Sequence, residues 1–201
     1  MCGRYEVAPE EEIMELREIL DEIQRRADAG EFEKMKTGEI FPTDLVPVVA
    51  DRPRLMKWGF SKYQGAGVVI NARAETLDDK PMFHSPQIGR CLIPATGYFE
   101  WEKRGKERLK YEIRVQDEPL LYMAGIYRIE QAGEPPVFAI LTREPADSIR
   151  HIHNRMPVIL SREGQEAWMG GERSVGKVLS LSRNDVVFAR VNDKPEQLSM
   201  F

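Results

Sequence analysis

The amino-acid sequence predicts an α+β fold whose strands are mostly antiparallel. Short strand-like runs follow one another through connections too short for crossover helices, which is typical of hairpins. One N-terminal segment places apolar residues at helical spacing instead, and shorter helices are predicted near the C-terminus. The 201 residues contain no internal repeat, low-complexity tract or linker, so one domain over residues 1–201 is expected.

The first half of the chain is predicted to contain one long helix among short strands. Ile13, Leu16 and Ile19 lie at helical spacing, and glutamates follow Pro9, where the helix dipole favours them. The helix is expected to end near Gly30, because glycine is common at helix C-termini. Strands are expected at residues 3–7, 45–50, 54–60 and 68–70, and loops or turns at residues 34–39, 41–44, 61–67 and 77–89.

The second half is predicted to be a series of strands followed by two helices and a last strand. Apolar runs at residues 91–94 and 97–101 lead to a hairpin turn at residues 104–106. Further strands are expected at residues 111–115, 120–127, 137–142 and 186–191, and helices at residues 145–151, 162–169 and 175–181.

The composition is that of an ordinary globular protein, with 42% hydrophobic and 31% charged residues. No apolar run approaches the roughly 18 residues of a membrane helix, and the N-terminus lacks the pattern of a secretory signal. A cytoplasmic protein without membrane contact is therefore expected. In that reducing compartment Cys2 and Cys91, which form no zinc-like spacing, are not expected to pair, and Cys91 is predicted to be a buried structural thiol.

The net charge of −4 is unevenly distributed. Residues 1–35 hold eleven acidic and five basic side chains, whereas the rest of the chain is slightly basic. Arginine supplies 19 of the 29 basic residues, and its guanidinium suits bidentate contacts with phosphate. This distribution permits a local basic groove despite the negative total, although arginine-rich composition is also common in proteins that bind no nucleic acid.

Cys2 follows the initiator Met1 directly and becomes the N-terminal residue if that methionine is removed. Its α-amine, with an ordinary pKa of about 7.7–8.0, would then be substantially neutral at cellular pH. A neutral amine adds to an aldehyde to give a Schiff base, and the neighbouring thiol can close on that imine to form a thiazolidine. The alternative is that position 2 is simply a small residue after a start codon.

Two ionisable side chains are candidates for proton transfer. Glu100 lies among aromatic residues, where desolvation would raise its pKa towards neutrality; the alternative is a strand residue that faces solvent between buried Phe99 and Trp101. His153 suits acid–base work at neutral pH, although it could be a solvated histidine or, with His151, part of a metal pair. No metal is predicted, because only His84, the cysteines and ordinary carboxylates are available as further ligands.

Two further pairs of residues suggest contacts with a polar ligand or a base. Asn71 and Arg73 leave a buried strand two positions apart, so an amide and a guanidinium could together hold a phosphate or a carbonyl oxygen; the alternative is an asparagine in a turn and a surface arginine. Trp58 and Phe60 flank a glycine and could stack on unpaired bases, with core packing as the alternative.

In order, these segments resemble the SOS-response-associated peptidase (SRAP) family, whose members act on abasic sites in single-stranded DNA. The resemblance covers essentially the whole chain, and the matching segments are Met1–Tyr5, Pro42–Thr43, Trp58–Phe60, Asn71–Thr76, Cys91–Trp101, His153–Leu160 and Arg190–Asn192. It implies a compact domain in which mainly antiparallel strands form a barrel-like sheet flanked by helices.

The resemblance also implies a role for each matched residue. Cys2 would be the nucleophile that forms a thiazolidine with the ring-opened aldehyde of an abasic sugar. Asn71 would orient Cys2 and the sugar, Glu100 would be the acid–base carboxylate, and His153 would help to open the sugar. The residues expected to contact DNA are Arg4, Arg73 and Arg155 along the backbone, and Pro42, Trp58 and Phe60 along the kinked single strand and the duplex end.

The family resemblance further implies a monomer that needs no cofactor. Its expected partner is single-stranded DNA containing abasic sites, including junctions with duplex, and it would be nucleoid-associated when bound. This chain departs from the family in having Phe99 where a second tyrosine is common and Lys62–Tyr63 in place of another tryptophan.

Two alternatives remain open at this level. The chain could be a peptidase acting on other proteins through a Cys-His-Asn arrangement of Cys2, His153 and Asn71, or a single-strand binder that forms no covalent bond. Removal of Met1 could be autocatalytic or could be performed by a separate aminopeptidase.

Overall fold

The computed structural model describes residues 2–8, 13–62, 64–77, 79–83, 88–172 and 174–191. Within these ranges the strands are β1 Tyr5–Val7, β2 Gly38–Ile40, β3 Leu45–Val49, β4 Pro53–Trp58, β5 Phe60–Ser61, β6 Val68–Val69, β7 Asn71–Arg73, β8 Gly89–Ala95, β9 Gly97–Arg104, β10 Glu107–Val115, β11 Leu121–Arg128, β12 Val137–Arg143, β13 Met156–Pro157 and β14 Val186–Arg190. The helices are α1 Met14–Arg26, α2 Ala29–Phe32, α3 Arg162–Met169 and α4 Val175–Ser180. None of the helices in these ranges is long and apolar enough to cross a membrane.

The strands form two main sheets, and the predicted barrel-like α+β architecture is confirmed. In the larger sheet the order β11-β8-β3-β4-β12 returns from β12 to β11, so five strands close into a barrel. The smaller sheet has the order β14-β10-β9-β1-β2. Most neighbours are antiparallel, as predicted, while β12 pairs in parallel with β4 and β7.

Helix α1 covers one side of the barrel. Its apolar stripe of Leu16, Ile19 and Ile23 is buried, and α1 packs on β3 and β4. The helical spacing of the apolar residues therefore identified the face that packs on the barrel.

The predicted end of the first helix was wrong. Helix α1 ends at Arg26, because Ala27 is extended, and Gly30 lies inside the separate helix α2. The predicted start near Pro9 lies outside the described residues. The loop predicted for residues 34–39 was also partly wrong, since Gly38–Ile40 forms β2 and pairs with β1.

Two other predicted elements are shorter in the structure. The strand expected at residues 54–60 is divided at Gly59, whose φ is +120° and where a Cβ would lie 2.6 Å from a methyl carbon of Val68. Only glycine accepts that backbone conformation and that contact. The helix expected at residues 145–151 is reduced to a 3-10 turn at Asp147–Ile149.

Candidate active site

The candidate active site is built around the N-terminal residues, which are hydrogen-bonded to both sheets. The amide of Phe99 in β9 donates a hydrogen bond of 3.0 Å to the carbonyl of Arg4, which holds the N-terminal segment beside β9. From β7 of the larger sheet, the side-chain amide Nδ2 of Asn71 donates a 2.8 Å hydrogen bond to the carbonyl of Cys2. Cys2 is therefore held from both sheets.

The thiol of Cys2 is fully buried. Its Sγ donates a hydrogen bond of 3.6 Å to the carbonyl of Arg4. Burial, with a smaller contribution from the negative charge of Glu100, raises the pKa of the Cys2 thiol well above its usual value. The thiol consequently needs a nearby base to react as a nucleophile. Cys91 is also buried, as predicted, and both cysteines are free thiols.

Glu100 is buried in the interior, with 3% of its surface exposed. It lies on β9 two residues after the buried Tyr98, so both side chains face the same side of the sheet. Burial raises the pKa of Glu100 to about 7. The alternative of a solvent-facing strand glutamate is therefore excluded, and this carboxyl can both donate and accept a proton near neutrality.

His153 faces this carboxyl from the loop before β13. Its Nε2 lies 3.9 Å from Oε2 of Glu100. Nδ1 of His153 lies 3.1 Å from the backbone amide nitrogen and 3.3 Å from the backbone carbonyl oxygen of Arg155, so the backbone of Arg155 can hold the ring in either tautomer. Partial burial lowers the pKa of His153. No group of three metal-ligating side chains is found in the described ranges, and His84 lies outside them.

Arg155 is held in place by an ion pair with Glu75. Its Nη1 and Nη2 donate bidentate hydrogen bonds of 3.0 and 2.8 Å to the Glu75 carboxylate, and Nη2 also donates to the carbonyl of Thr142 at 2.6 Å. Partial burial acts to raise the pKa of Glu75, but the hydrogen bonds and charge of Arg155 outweigh it and the pKa is lowered. Through Arg155, Glu75 thus contributes to the position of the loop that carries His153.

The two other arginines expected to contact DNA differ in their surroundings. The guanidinium of Arg4 lies 3.7 Å from the ring centre of Phe41, and its Nε lies 3.5 Å from the Glu39 carboxylate. Arg73 is exposed at the end of β7, and its guanidinium has no ion-pair partner among the residues that the structure describes. Arg73 is consequently the more accessible of the two cations.

Trp58 and Phe60 lie in the core, with no exposed surface. The indole Nε1 of Trp58 donates a 3.0 Å hydrogen bond to the carbonyl of Ile70, and its ring lies edge-on to Tyr5 at 5.1 Å. Neither Trp58 nor Phe60 presents a ring face to a base in this structure, so their role here is the core packing named as the alternative. Pro42, in contrast, is half-buried at the surface.

Sequence reasoning missed three features of this region. Phe41, which is 43% exposed beside Pro42, is an accessible aromatic ring under Arg4, and only its position next to the Pro42–Thr43 turn could have indicated it. Glu75 lay within a quoted motif, but the ion pair that explains it joins residues 80 positions apart.

The third missed feature is a pair of buried tyrosine hydroxyls. Tyr5 and Tyr98 are directly opposite each other on β1 and β9, and both are fully buried. Their hydroxyls, and Oδ1 of Asn71, have no hydrogen-bond partner within the described part of the chain. Buried polar atoms are usually paired, so these three can hydrogen-bond a polar ligand that enters the site.

The chain is similar to several known proteins. The family model described as SOS response associated peptidase (SRAP) matches residues 1–194. The chain is 30% identical over 190 residues to the abasic site processing protein YoqW of Bacillus subtilis (strain 168), covering 84% of this chain and 80% of YoqW. It is 29% identical over 183 residues to the abasic site processing protein YedK of Escherichia coli (strain K12), covering 87% and 82%. A crystal structure of a Bacteroides thetaiotaomicron protein has a TM-score of 0.74 and 25% identity, over 96% of this chain and 93% of that chain.

Proposed function

The chain belongs to the SOS response associated peptidase family, and we propose that it processes abasic sites in DNA by forming a covalent thiazolidine crosslink through Cys2. The observation that carries this proposal is the convergence of an anchored Cys2, a buried Glu100 with a pKa of about 7, and His153 with its Nε2 3.9 Å from that carboxylate. The names of the related proteins support abasic-site DNA as the substrate.

The first step is formation of a Schiff base. Removal of Met1 frees the α-amine of Cys2, which adds to the C1′ aldehyde of the ring-opened abasic sugar. The resulting carbinolamine loses water when protonated Glu100 transfers its proton to the departing oxygen. The 3.9 Å between Glu100 Oε2 and His153 Nε2 is short enough for one oxygen of the substrate to hydrogen-bond both atoms, at about 2.8 Å from each.

The second step closes the thiazolidine ring. The Cys2 sulfur adds to the carbon of the protonated imine, and the C=N electron pair moves to nitrogen, which keeps its one proton. The thiol proton passes to Glu100, which the first step left ionised and whose pKa lies near neutrality. The sum of both steps is the crosslink plus one water molecule. The crosslink shields the lesion from strand cleavage, because the imine is no longer available for elimination.

The proposed DNA partner is a single strand, including its junctions with duplex, bound by a monomer without a cofactor. Arg73, exposed at the end of β7, and Arg4, stacked on Phe41, would contact the backbone near the abasic sugar. Arg155, whose terminal nitrogens are bound to Glu75 and Thr142, is also proposed to add positive charge near the backbone. A cytoplasmic location, with nucleoid association on DNA binding, is proposed with this function.

The proposal is tested by incubating the Met1-free protein with an abasic single-stranded oligonucleotide and separating the products on a denaturing gel. The expected result is a slowly migrating adduct that is absent with Cys2→Ala. Cys2→Ser, which keeps the amine, should give an adduct only when borohydride is added to reduce the imine. An undiminished adduct with Cys2→Ala would overturn the role of Cys2.

A cysteine peptidase acting on other proteins has less support. That chemistry needs a thiolate, whereas burial raises the pKa of Cys2 and its thiol serves as a hydrogen-bond donor. Blocking the amine while leaving the thiol intact separates the two activities, because crosslinking would then fail and peptide hydrolysis would survive.

A further inference from the structure

The hairpin that joins β9 to β10 forms one wall of a groove next to the candidate active site. The groove has a volume of about 690 Å³. Its lining includes Trp101, Lys103, Lys106, Arg108, His153 and Asn154. Since His153 belongs both to the groove and to the site, a strand whose abasic sugar reaches Glu100 can continue into this groove.

The groove has a net positive charge, because three cations of the hairpin line it together with one carboxylate, Glu107. Lys103, Lys106 and Arg108 are exposed, and none of them has an ion-pair partner in the part of the chain that the structure describes. Arg104 differs from them, because it is paired with Glu102 at 3.1 Å. The remaining three cations are therefore available to an anionic ligand.

Two of these cations face each other directly. Lys103 of β9 is opposite Arg108 of β10 in the antiparallel register. Like charges at directly opposed positions destabilise a sheet, so this pair has a cost in the free protein. An anion bound between the two side chains would remove that cost, and the phosphodiester of a DNA strand is such an anion.

An aromatic side chain lies on the same face of the hairpin. Trp101 is two residues before Lys103 on β9 and is partly exposed. The guanidinium carbon of Arg108 and the Nζ of Lys110 each lie 5.9 Å from a Trp101 ring centre. Aromatic rings beside cations in a groove are typical of sites that bind unpaired nucleic-acid strands, because bases stack while phosphates pair with the cations.

We propose that this hairpin groove binds the single strand on one side of the abasic nucleotide, with Lys103, Lys106 and Arg108 on its phosphates and Trp101 against a base. This inference rests on the proposed function for the choice of ligand. It adds a binding surface that is separate from Arg4, Arg73 and Arg155, and the residues proposed to contact the DNA there, Lys103, Lys106, Arg108 and Trp101, are not among those assigned to the chemistry.

The test uses the triple variant Lys103→Ala, Lys106→Ala, Arg108→Ala and an oligonucleotide containing a tetrahydrofuran abasic analogue. The analogue has no aldehyde, so its binding is reversible and is measured by fluorescence anisotropy over a series of salt concentrations. Loss of three phosphate contacts should reduce the slope of log affinity against log salt by about 2, since each contact on a single strand contributes about 0.7. When the salt concentration rises from about 50 to about 200 mM, the factor by which affinity falls should therefore be roughly 20 times larger for the wild type than for the variant.

Oligonucleotides with a single arm, either 5′ or 3′ of the analogue, locate the contact. Each arm should increase the affinity of the wild type. The variant should lose this increase for one arm and keep it for the other. An unchanged salt slope, or an equal loss for both arms, would overturn the proposal. The control Arg25→Ala, Arg162→Ala, Lys177→Ala removes three exposed cations from helices α1, α3 and α4 and should leave the slope unchanged.

Two further measurements make the result specific. The unfolding temperature of the triple variant should not fall, because the opposed pair Lys103 and Arg108 is removed, and a fall would overturn the argument from their repulsion. The charge-preserving change of Lys103 and Lys106 to arginine should restore the wild-type slope. If the wild type forms no adduct with true abasic DNA, the proposed function fails instead, whatever the result with the analogue.

Discussion

The backbone of Arg155 holds the ring of His153, because its amide nitrogen lies 3.1 Å and its carbonyl oxygen 3.3 Å from Nδ1. One of these two groups can bond Nδ1 in either tautomer, and in both cases Nε2 faces Glu100. The guanidinium of the same arginine is fixed by the carboxylate of Glu75. One residue thereby connects Glu75, which lies just after β7, to the orientation of the candidate catalytic histidine.

The variant Glu75→Gln should slow crosslinking more than it affects DNA binding. Loss of the bidentate ion pair loosens Arg155 and with it the ring of His153, so we expect the rate at saturating DNA to fall about tenfold, equivalent to roughly 1.4 kcal/mol. Affinity for an aldehyde-free analogue should not weaken, because one negative charge near the DNA is removed. Single-turnover gels and anisotropy measure the two quantities.

A matched control for this variant is Glu172→Gln, which removes a 2.8 Å ion pair with Lys177 at the start of α4. It should leave the crosslinking rate unchanged. An unchanged rate with Glu75→Gln would contradict the positioning role of Arg155.

Glu100→Gln should change how stability depends on pH. The folded-state pKa of Glu100 is raised from its ordinary 4.5 to about 7, so the protonated form stabilises the fold below about pH 4.5 and this stabilisation is lost as the pH rises through about 7. Glutamine does not titrate, so the wild type should lose about 3 kcal/mol relative to the variant across this window. Urea unfolding at several pH values measures the difference.

Glu102 lies two residues after Glu100 on β9, and its pKa is shifted in the opposite direction, so Glu102→Gln should have the opposite effect on the pH dependence of stability. A hydrogen bond from Tyr111 is the main reason that the pKa of Glu102 is lowered, so its stabilisation should be lost as the pH falls. Parallel pH trends for the wild type and Glu100→Gln would contradict the burial of an ionisable carboxyl at position 100.

Asn71→Asp should be more damaging to crosslinking than Asn71→Ala. The Asn71 amide donates to the carbonyl of Cys2 at 2.8 Å, and an ionised carboxylate at this position would instead repel that oxygen. Alanine loses one hydrogen bond, about 1 kcal/mol and so several-fold in rate, whereas aspartate adds the repulsion to that loss. Single-turnover rates at saturating abasic DNA give the ranking, and equal rates for the two variants would contradict the contact.

Substitutions of Trp58 and Phe41 should affect different properties, namely the stability of the fold for Trp58 and DNA binding for Phe41. Trp58 has no exposed surface, so Trp58→Ala should cost about 3–5 kcal/mol of unfolding free energy through the cavity it leaves. Phe41 is 43% exposed under Arg4, so Phe41→Ala should cost about 1 kcal/mol or less but weaken binding to single-stranded DNA. A stable Trp58→Ala protein with weakened DNA binding would favour the stacking role instead.

Sequence patterns predicted best those elements whose structure depends only on neighbouring residues in the sequence. The apolar spacing from Ile13 to Ile23 located α1, and the turn residues around Gly105, whose φ is +63°, located the hairpin between β9 and β10. The segment Gly38–Ile40 has little strand character of its own and becomes a strand because β1 pairs with it. Such pairing over a long sequence separation is invisible to a local pattern.

The candidate site could be predicted as a set of residues but not as an arrangement. Cys2, Asn71, Glu100 and His153 were all named from motifs, yet the pattern around Glu100 could not decide between the solvent face and the interior. That choice depends on which face of β9 turns towards the N-terminal segment. The same limit applied to Trp58, whose aromatic character fits a stacking surface and a core equally well.

The central claim is that Cys2 reacts through both its amine and its thiol after Met1 is removed. Intact-mass spectrometry of the purified protein, before and after incubation with an abasic oligonucleotide, tests it most directly. We predict a chain that lacks Met1 and an adduct whose mass is the sum of protein and oligonucleotide minus one water, and no adduct when one extra residue precedes Cys2. An adduct of equal yield on a chain that retains Met1 or the extra residue would contradict the claim.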